Sequence, residues 1–530
     1  MMISTELEKH IPSQPLAENP IFTLEAAAGE PVGIYPNSIR RTGETILFMG
    51  RQGSDKSLWV FPGGGHPENN PFAGTPVAAD GSAADEALWR CPLSHANAVK
   101  LRELLPFTKP VLLGIDNALG LGDRLGLAGP GHLRAMIGSD FRPMLAQQSI
   151  RELERTERTP EEVLDAATWA VLQEGYTDGF GADADHLKTT AHLDLMARAG
   201  YTMFTIDPGE YVLSVAEGLS VSELREMAGG VPWESMETTL DEIMRRYSGK
   251  PVSLTARTNF SPGEQEVLQA LVKYGGVIGH CAAMIRYFRQ TYPGRESEFE
   301  LSVDETDSPT TPFQHFLIVS ELARLGIELV SLAPRFVGDF EKGIDYKGDI
   351  ALFKADIAQH MDIAEHLGPY KVSFHSGSDK FRVYEAVGAM AGTRIHLKTA
   401  GTSYLEALRV AARHSTDLFR EILDFSRAHY LTERHTYHVS ARLELVPAAE
   451  ECNDGQLVEL IDRDDSRQVL HVSFGSVLVA KLTGGGYRFR DRILAVLEEH
   501  EETHYDFLCR LMRKHLRPLE AGRSNGGNHR

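Results

Sequence analysis

Short apolar runs rich in β-formers recur through this chain, each followed by a polar, glycine-containing turn and then by a stretch with helical spacing. Eight such runs are readable: PVLLGID ending at Asp116, DGFGADAD at Asp185, YTMFTID at Asp207, EFELSVDE at Glu305, IELVSLAPRF at Phe336, YKVSFHSG at Gly377, TRIHLKTAG at Gly401 and QVLHVSFG at Gly475. Strand and helix alternating in this way predict a parallel sheet closed into a (β/α)₈ barrel, an α/β fold of the TIM type, over residues 106–518. An open doubly wound sheet is the alternative, but no GxGxxG or GxxxxGK[ST] follows any strand, which counts against a nucleotide-binding fold. The chain exceeds the roughly 250 residues of a plain barrel, so insertions are expected near 208–297 and 415–465. Capping-box patterns mark helix starts at Thr159 to Glu162, with Pro160 at the first helical position, and at Ser261 to Glu264.

Residues 1–105 are rich in Gly, Pro and Asn and read as an irregular N-terminal elaboration with two strand-like runs, ETILFMG and SLWVF. Residues 519–530, which include AGRSNGGNHR, have no apolar periodicity and read as a disordered tail.

With 42% hydrophobic residues, the 530-residue chain has ample material for a large core. Its 54 Lys and Arg against 74 Asp and Glu leave a net charge of −20, which repels nucleic acid and anionic membranes. The four cysteines form no CxxC pair, so neither a disulfide framework nor a thiolate zinc site is indicated. The N-terminus has no apolar targeting segment, and the apolar stretch from Leu268 to Phe288 is interrupted by Lys273, His280 and Arg286. A reducing, cytoplasmic location is the resulting expectation.

In a parallel barrel the chemistry projects from the C-terminal strand ends. Those ends supply Asp116, Asp183, Asp185, His186, Asp207, Asp304, Glu305, His375, His396 and Lys398. Imidazoles of His186, His375 and His396 beside carboxylates suit a borderline divalent ion such as Zn²⁺, Mn²⁺, Co²⁺ or Ni²⁺. Asp185 and Glu305 are the candidates for proton transfer, although helix capping or lysine pairing would also account for either acid. Two turns suit an anionic or polyhydroxylated ligand: His375 to Lys380, which contains Ser376, and Lys398 to Ser403, which contains Thr402. Lys380 and Lys398 would hold a carboxylate or phosphate there. Ser403 with Glu406 also fits plain helix capping. In the glycine-rich loop from Gly120 to His132, Arg124 would fork onto a substrate carboxylate or pair with a protein acid such as Asp123.

The strings GDRLGLAGPGH, AQQSIREL, GADADHLKT, FTIDPG, SVDETDSPT, FHSGSDKF and HLKTAGTSYLEALR resemble the tagaturonate epimerases, enzymes of hexuronate catabolism, from about residue 120 to 410. The resemblance implies a divalent-metal barrel isomerase that interconverts D-tagaturonate and D-fructuronate, with a small-molecule keto-sugar acid as its partner. It implies Asp185 as proton acceptor, Glu305 as proton donor, and His186, His375 and His396 as metal ligands. The inverted carbon lies β to the ketone, where the carbonyl does not acidify its C–H bond directly. Proton exchange at that carbon and retro-aldol cleavage with re-addition at a metal-bound enediolate therefore both stand. Rival readings are a ketose isomerase or aldolase on another sugar, in which Lys398 would form a Schiff base in a metal-free version, and a non-catalytic sugar-acid sensor, which would need neither metal nor paired acids.

Overall fold

The structure is a computed structural model that describes residues 7–12, 19–24, 31–63, 66–77, 88–390, 392–399 and 401–521. Eight parallel strands close into a barrel: β1 (Ala118–Gly120), β2 (Arg142–Ser149), β3 (Gly181–Leu187), β4 (Met203–Ile206), β5 (Glu298–Val303), β6 (Ser331–Pro334), β7 (Lys371–Phe374) and β8 (Ile395–Lys398). Each pairs with the next, and β8 returns to β1 through His396↔Ala118, Leu397↔Leu119 and Lys398↔Gly120. Six of the eight runs read from the sequence are barrel strands, β3 to β8.

The first and last expected runs are corrections. PVLLGID is a turn beneath the barrel: the Val111 amide donates to the Phe180 carbonyl at 2.8 Å, and the Gly114 carbonyl accepts from Lys371 Nζ at 2.7 Å. Its Leu113 joins Ala118, Met144 and Met203 in a small apolar layer that closes the bottom. QVLHVSFG is helical, lying in Asp464–Val472 and Phe474–Val479, where Val469, Leu470, Val472 and Phe474 are buried together at helical spacing. A short apolar run does not distinguish the two periods by itself. The true first two strands escaped because β1 has three residues and β2 (RPMLAQQS) ends on three polar side chains that are all buried.

The segment between β4 and β5 carries the helices Val221–Met227, Leu240–Tyr247 and Glu264–Thr291, besides a two-stranded hairpin. The 28-residue helix Glu264–Thr291 is long and apolar enough to cross a membrane, but its apolar window is 78% buried against the barrel's helical layer, which accounts for that composition. Its N-cap is Gly263, so the expected box at Ser261 does not form, whereas the one at Thr159 does, with Glu162 reciprocating. After β8, helices from Thr402 to Glu499 build a second apolar core around Tyr404, Leu408, Phe419 and Phe474.

The N-terminal region is more regular than its composition implied. It forms a seven-stranded antiparallel sheet in which Thr45–Gln52 and Asp55–Phe61 are the central hairpin. Alternation sends Leu47, Met49, Leu58 and Val60 toward Trp169 and Leu172 of the barrel helix Pro160–Glu174. Ile46, Phe48, Trp59 and Phe61 face the other way, with Leu7. Both faces are covered, so the strand reads as one continuous apolar run rather than an alternating one.

The last helix, Glu501–Glu520, ties these parts together. At its start the Glu501 carboxylate receives Lys56 Nζ at 2.6 Å, Tyr35 Oη at 2.7 Å and Arg51 Nη1 at 2.9 Å, all from the N-terminal sheet. Near its end it passes so close to Gly388 that a Cβ there would lie 2.0 Å from the Pro518 carbonyl oxygen. The expected disordered tail falls on residues outside the described ones from 522 onward, while Leu519 and Glu520 belong to this helix. Because the obstacle at Gly388 is backbone, Gly388→Ala is expected to destabilise the protein by about 1–3 kcal/mol through overpacking. Thermal unfolding by calorimetry checks this, and a wild-type midpoint would show that the helix is not seated there.

Candidate active site

The alternation of side chains along each strand decides what enters the barrel. In β3, Ala182 and Ala184 join the outer apolar core, so Asp183 and Asp185 turn inward. In β5 the residues Phe299, Leu301 and Val303 are outward and Glu300 and Ser302 inward; in β8 Ile395 and Leu397 are outward, His396 and Lys398 inward. Simple alternation would send His186 outward. A bulge between Ala184 and Leu187 shifts the register against β4, and His186 takes a left-handed backbone with φ +52°. This re-aims its ring, and Asp185 and His186 both line the same cavity.

Lys398 is the centre of the arrangement. Its buried ammonium lies 2.8 Å from Asp183, 2.7 Å from Asp185 and 2.9 Å from Glu300, and donates to Thr205 Oγ1 at 2.8 Å. Glu300 also receives His375 Nε2 at 2.6 Å and His396 Nδ1 at 3.2 Å. His375 Nδ1 lies 3.2 Å from Asp304, and His186 Nδ1 donates to Asp207 at 3.3 Å. The His186 and His375 rings meet edge to face with centroids 4.9 Å apart.

Five carboxylates, Asp183, Asp185, Asp207, Glu300 and Asp304, thus surround one lysine and three imidazoles. Burial opposes charge on both histidines, yet Asp185 and Asp207 raise His186 to about 10, and Asp304 and Glu300 raise His375 to about 9. Burial alone would raise the Asp185 carboxyl, but His186, Lys398 and His375 hold it far below its ordinary value. At His396 burial wins and lowers the imidazole's affinity for a proton, and among the described residues its Nε2 is buried without a hydrogen-bond partner.

These residues fit a divalent cation. Donor atoms of Asp185, His186 and His375 all lie within 4.8 Å of one another. A dication takes the place of the protons that the surplus carboxylates otherwise hold on the imidazoles. Asp207 on Nδ1 of His186 is the kind of partner that orients a ligand imidazole. His396, expected as a third histidine ligand, is outside this group and reaches it through Glu300.

The other expected residues separate. Glu305 follows β5 on a loop, half exposed, 3.8 Å from Arg151, and lines an outer cavity of about 530 Å³ together with Asp304 and His375. Arg124 is buried against the Phe474 ring, 3.5 Å from its centroid; its Nε and Nη2 donate to Glu152 rather than to Asp123, and it lines the inner cavity. Ser376 lines both cavities, with a left-handed φ of +51°. Lys380 and Thr402 lie off both cavities. The Lys380 ammonium is enclosed by the carbonyls of Glu341, Ile344 and Ser378, away from either cavity, and burial pushes it down to about 7. Thr402 is fully buried, its hydroxyl 3.5 Å from that of Ser378. Lys398 lines the inner cavity and is paired there with three carboxylates. Ser403 is no helix cap: its hydroxyl pairs with His132 Nε2 at 2.7 Å.

Sequence reasoning missed Glu300, the acid that joins Lys398, His375 and His396. The signal was present, since an acid in mid-strand between Phe299 and Leu301 must be buried and therefore paired. Gln147, Arg151, Lys342, Tyr437 and His471 also line the inner cavity and were missed; they come from segments far apart in sequence, and only the folded chain collects them.

A sequence profile of the tagaturonate epimerase family matches residues 35–519. The tagaturonate/fructuronate epimerase of Thermotoga maritima is 40% identical over 489 residues, which cover 92% of this chain and 97% of that one. Crystal structures of a fructuronate-tagaturonate epimerase from Cohnella laeviribosi superimpose with a TM-score of 0.85 at 36% identity for a glycerol complex and 0.84 at 37% for the native form, each covering 92% of this chain and 96% of the other. With the closed parallel barrel and the acid and histidine cluster at the C-terminal ends of its strands, these likenesses place the chain in the tagaturonate epimerase family, as an isomerase.

Proposed function

We propose that the protein interconverts D-tagaturonate and D-fructuronate with a divalent cation held at the mouth of its barrel. The observation that carries the reading is the convergence of Asp185, His186 and His375 donor atoms within 4.8 Å, in a chain whose relatives are named for this reaction. His186 and His375 would hold the ion, with His396 supporting them through its shared carboxylate, Glu300. Bound there, the cation supplies Lewis acidity toward substrate oxygens.

The rest of the work belongs to the chain. Asp185, with His186 and Lys398 beside it, is ionised through the neutral range, the state a proton acceptor needs before reaction. Glu305 stands in the outer cavity, half open to solvent, so that a proton it gives up is replaced from water. His375 and Ser376 belong to both cavity walls, so a substrate spanning the two spaces meets both acids. Gln147 holds the other oxygen of Asp185 from Nε2 at 3.4 Å and keeps the carboxylate plane directed into the cavity.

Proton NMR of D-tagaturonate incubated with the purified protein tests the reading. Fructuronate signals are expected to appear, to stop on EDTA treatment and to return with Mn²⁺, Zn²⁺ or Ni²⁺; no conversion with any metal would sink it. Repeating the reaction in D₂O separates the two chemical routes. Proton exchange carries deuterium onto the inverted carbon, whereas carbon–carbon cleavage and re-addition return that carbon with its own hydrogen. Glu305→Gln is expected to lower kcat by about 100-fold or more, the usual worth of a positioned general acid, while metal content measured by elemental analysis stays that of the wild type. His375→Ala is expected to lose the metal itself.

A further inference from the structure

Four lysine and arginine side chains line the inner cavity, Arg124, Arg151, Lys342 and Lys398, and three of them already face an acid. Lys398 holds Asp183, Asp185 and Glu300; Arg124 holds Glu152; Arg151 stands 3.8 Å from Glu305. Lys342 differs. Among the described residues its ammonium donates to the Ser376 hydroxyl at 2.6 Å and has no carboxylate partner. It sits on the loop after β6 and lines both the inner and the outer cavity, one residue's width from His375 through Ser376.

The same cavity holds two more groups with capacity to spare. Among the described residues, Arg124 Nη1 and His471 Nδ1 are both buried without a hydrogen-bond partner. Burial, and then the positive charges of Arg124, Lys342, Arg467 and Lys380 around it, keep the His471 imidazole neutral. In a chain of net charge −20, this wall of the cavity is therefore positive, while the wall formed by Asp185 and its neighbours is strongly acidic. A ligand with an anionic end and a polyhydroxylated body is matched to such a divided cavity.

We propose that Lys342 is the specificity-determining residue for the substrate's carboxylate: its ammonium, beside the Ser376 hydroxyl and the spare Nη1 of Arg124, receives the acid end and so selects a keto-uronate over the neutral keto-sugar. This rests on the keto-hexuronate reading above, and it gives Lys342 the anion-holding role that the sequence suggested for Lys380 and Lys398. The lysine is only partly buried, so its replacement leaves the barrel core intact.

Steady-state kinetics of the metal-loaded enzyme on D-tagaturonate test the proposal, with inhibition by D-tagatose, which carries CH₂OH in place of the carboxylate, as the neutral control. Lys342→Met is expected to raise KM about 30-fold, the loss of one charge-assisted hydrogen bond, with kcat changed less than about 3-fold. The D-tagatose inhibition constant is expected to stay unchanged, and Lys342→Arg to recover most of the KM. An unchanged KM, a loss confined to kcat, or an equal loss of D-tagatose affinity overturns the assignment. Wild-type enzyme inactive on D-tagaturonate would instead overturn the substrate reading beneath it.

Discussion

The ammonium of Lys398, inside the barrel among Asp183, Asp185 and Glu300, is the interaction on which the site depends. Carboxylates packed this closely repel one another, and each pays a desolvation cost of several kcal/mol on burial. One lysine at under 3 Å from all three offsets part of that cost and fixes the spacing of strands β3, β5 and β8 around a common centre. Removing one partner from a buried ionic group of this kind costs about 3–5 kcal/mol, because the charges left behind remain buried. The negative charge that Lys398 does not cancel draws protons onto His186 and His375, and it is the same charge that suits the site to a cation.

The surrounding architecture serves to hold that polar interior in place. The outward faces of the strands are apolar and pack against the helical layer, so the polar inward faces are enforced from outside. The helix Glu501–Glu520 ties the outer layer to the N-terminal sheet through Glu501, where Lys56, Arg51 and Tyr35 converge. Segments outside the barrel strands, those of Lys342, Tyr437 and His471, complete the lining of the cavity. The site is thereby divided between an acidic wall made by strands and a basic wall made by loops and helices.

Much of this was legible before folding. Six strands were readable because their apolar positions alternate or run continuously and end in polar turns, and attention to the strand ends picked out Asp185, His186 and His375, whose donor atoms the folded chain brings within 4.8 Å of one another. QVLHVSFG failed because eight residues of mixed apolar character fit a helix as well as a strand. The strand RPMLAQQS failed because its buried end is polar, Gln147, Gln148 and Ser149, of which Gln147 and Ser149 line the inner cavity. Lys380 shows a different limit: a lysine in a glycine-rich turn looks like an anion ligand, and what the sequence could not show is that its ammonium donates to three carbonyls of its own and the neighbouring loop.

The sequence by itself determined the barrel, the inventory of acids and imidazoles at its mouth, and, through local strings, the family. These are properties of residue type and short-range period, which adjacent residues set. The tertiary structure decided which cation meets which acid. It turned Lys398 inward to bind three carboxylates, used the bulge at His186 to place two consecutive residues on one cavity, and left Lys342 without an acid among the described residues. Ion pairing depends on distances between residues separated by up to hundreds of positions, such as Lys398 and Asp185 at 213 apart, and no local period carries that information.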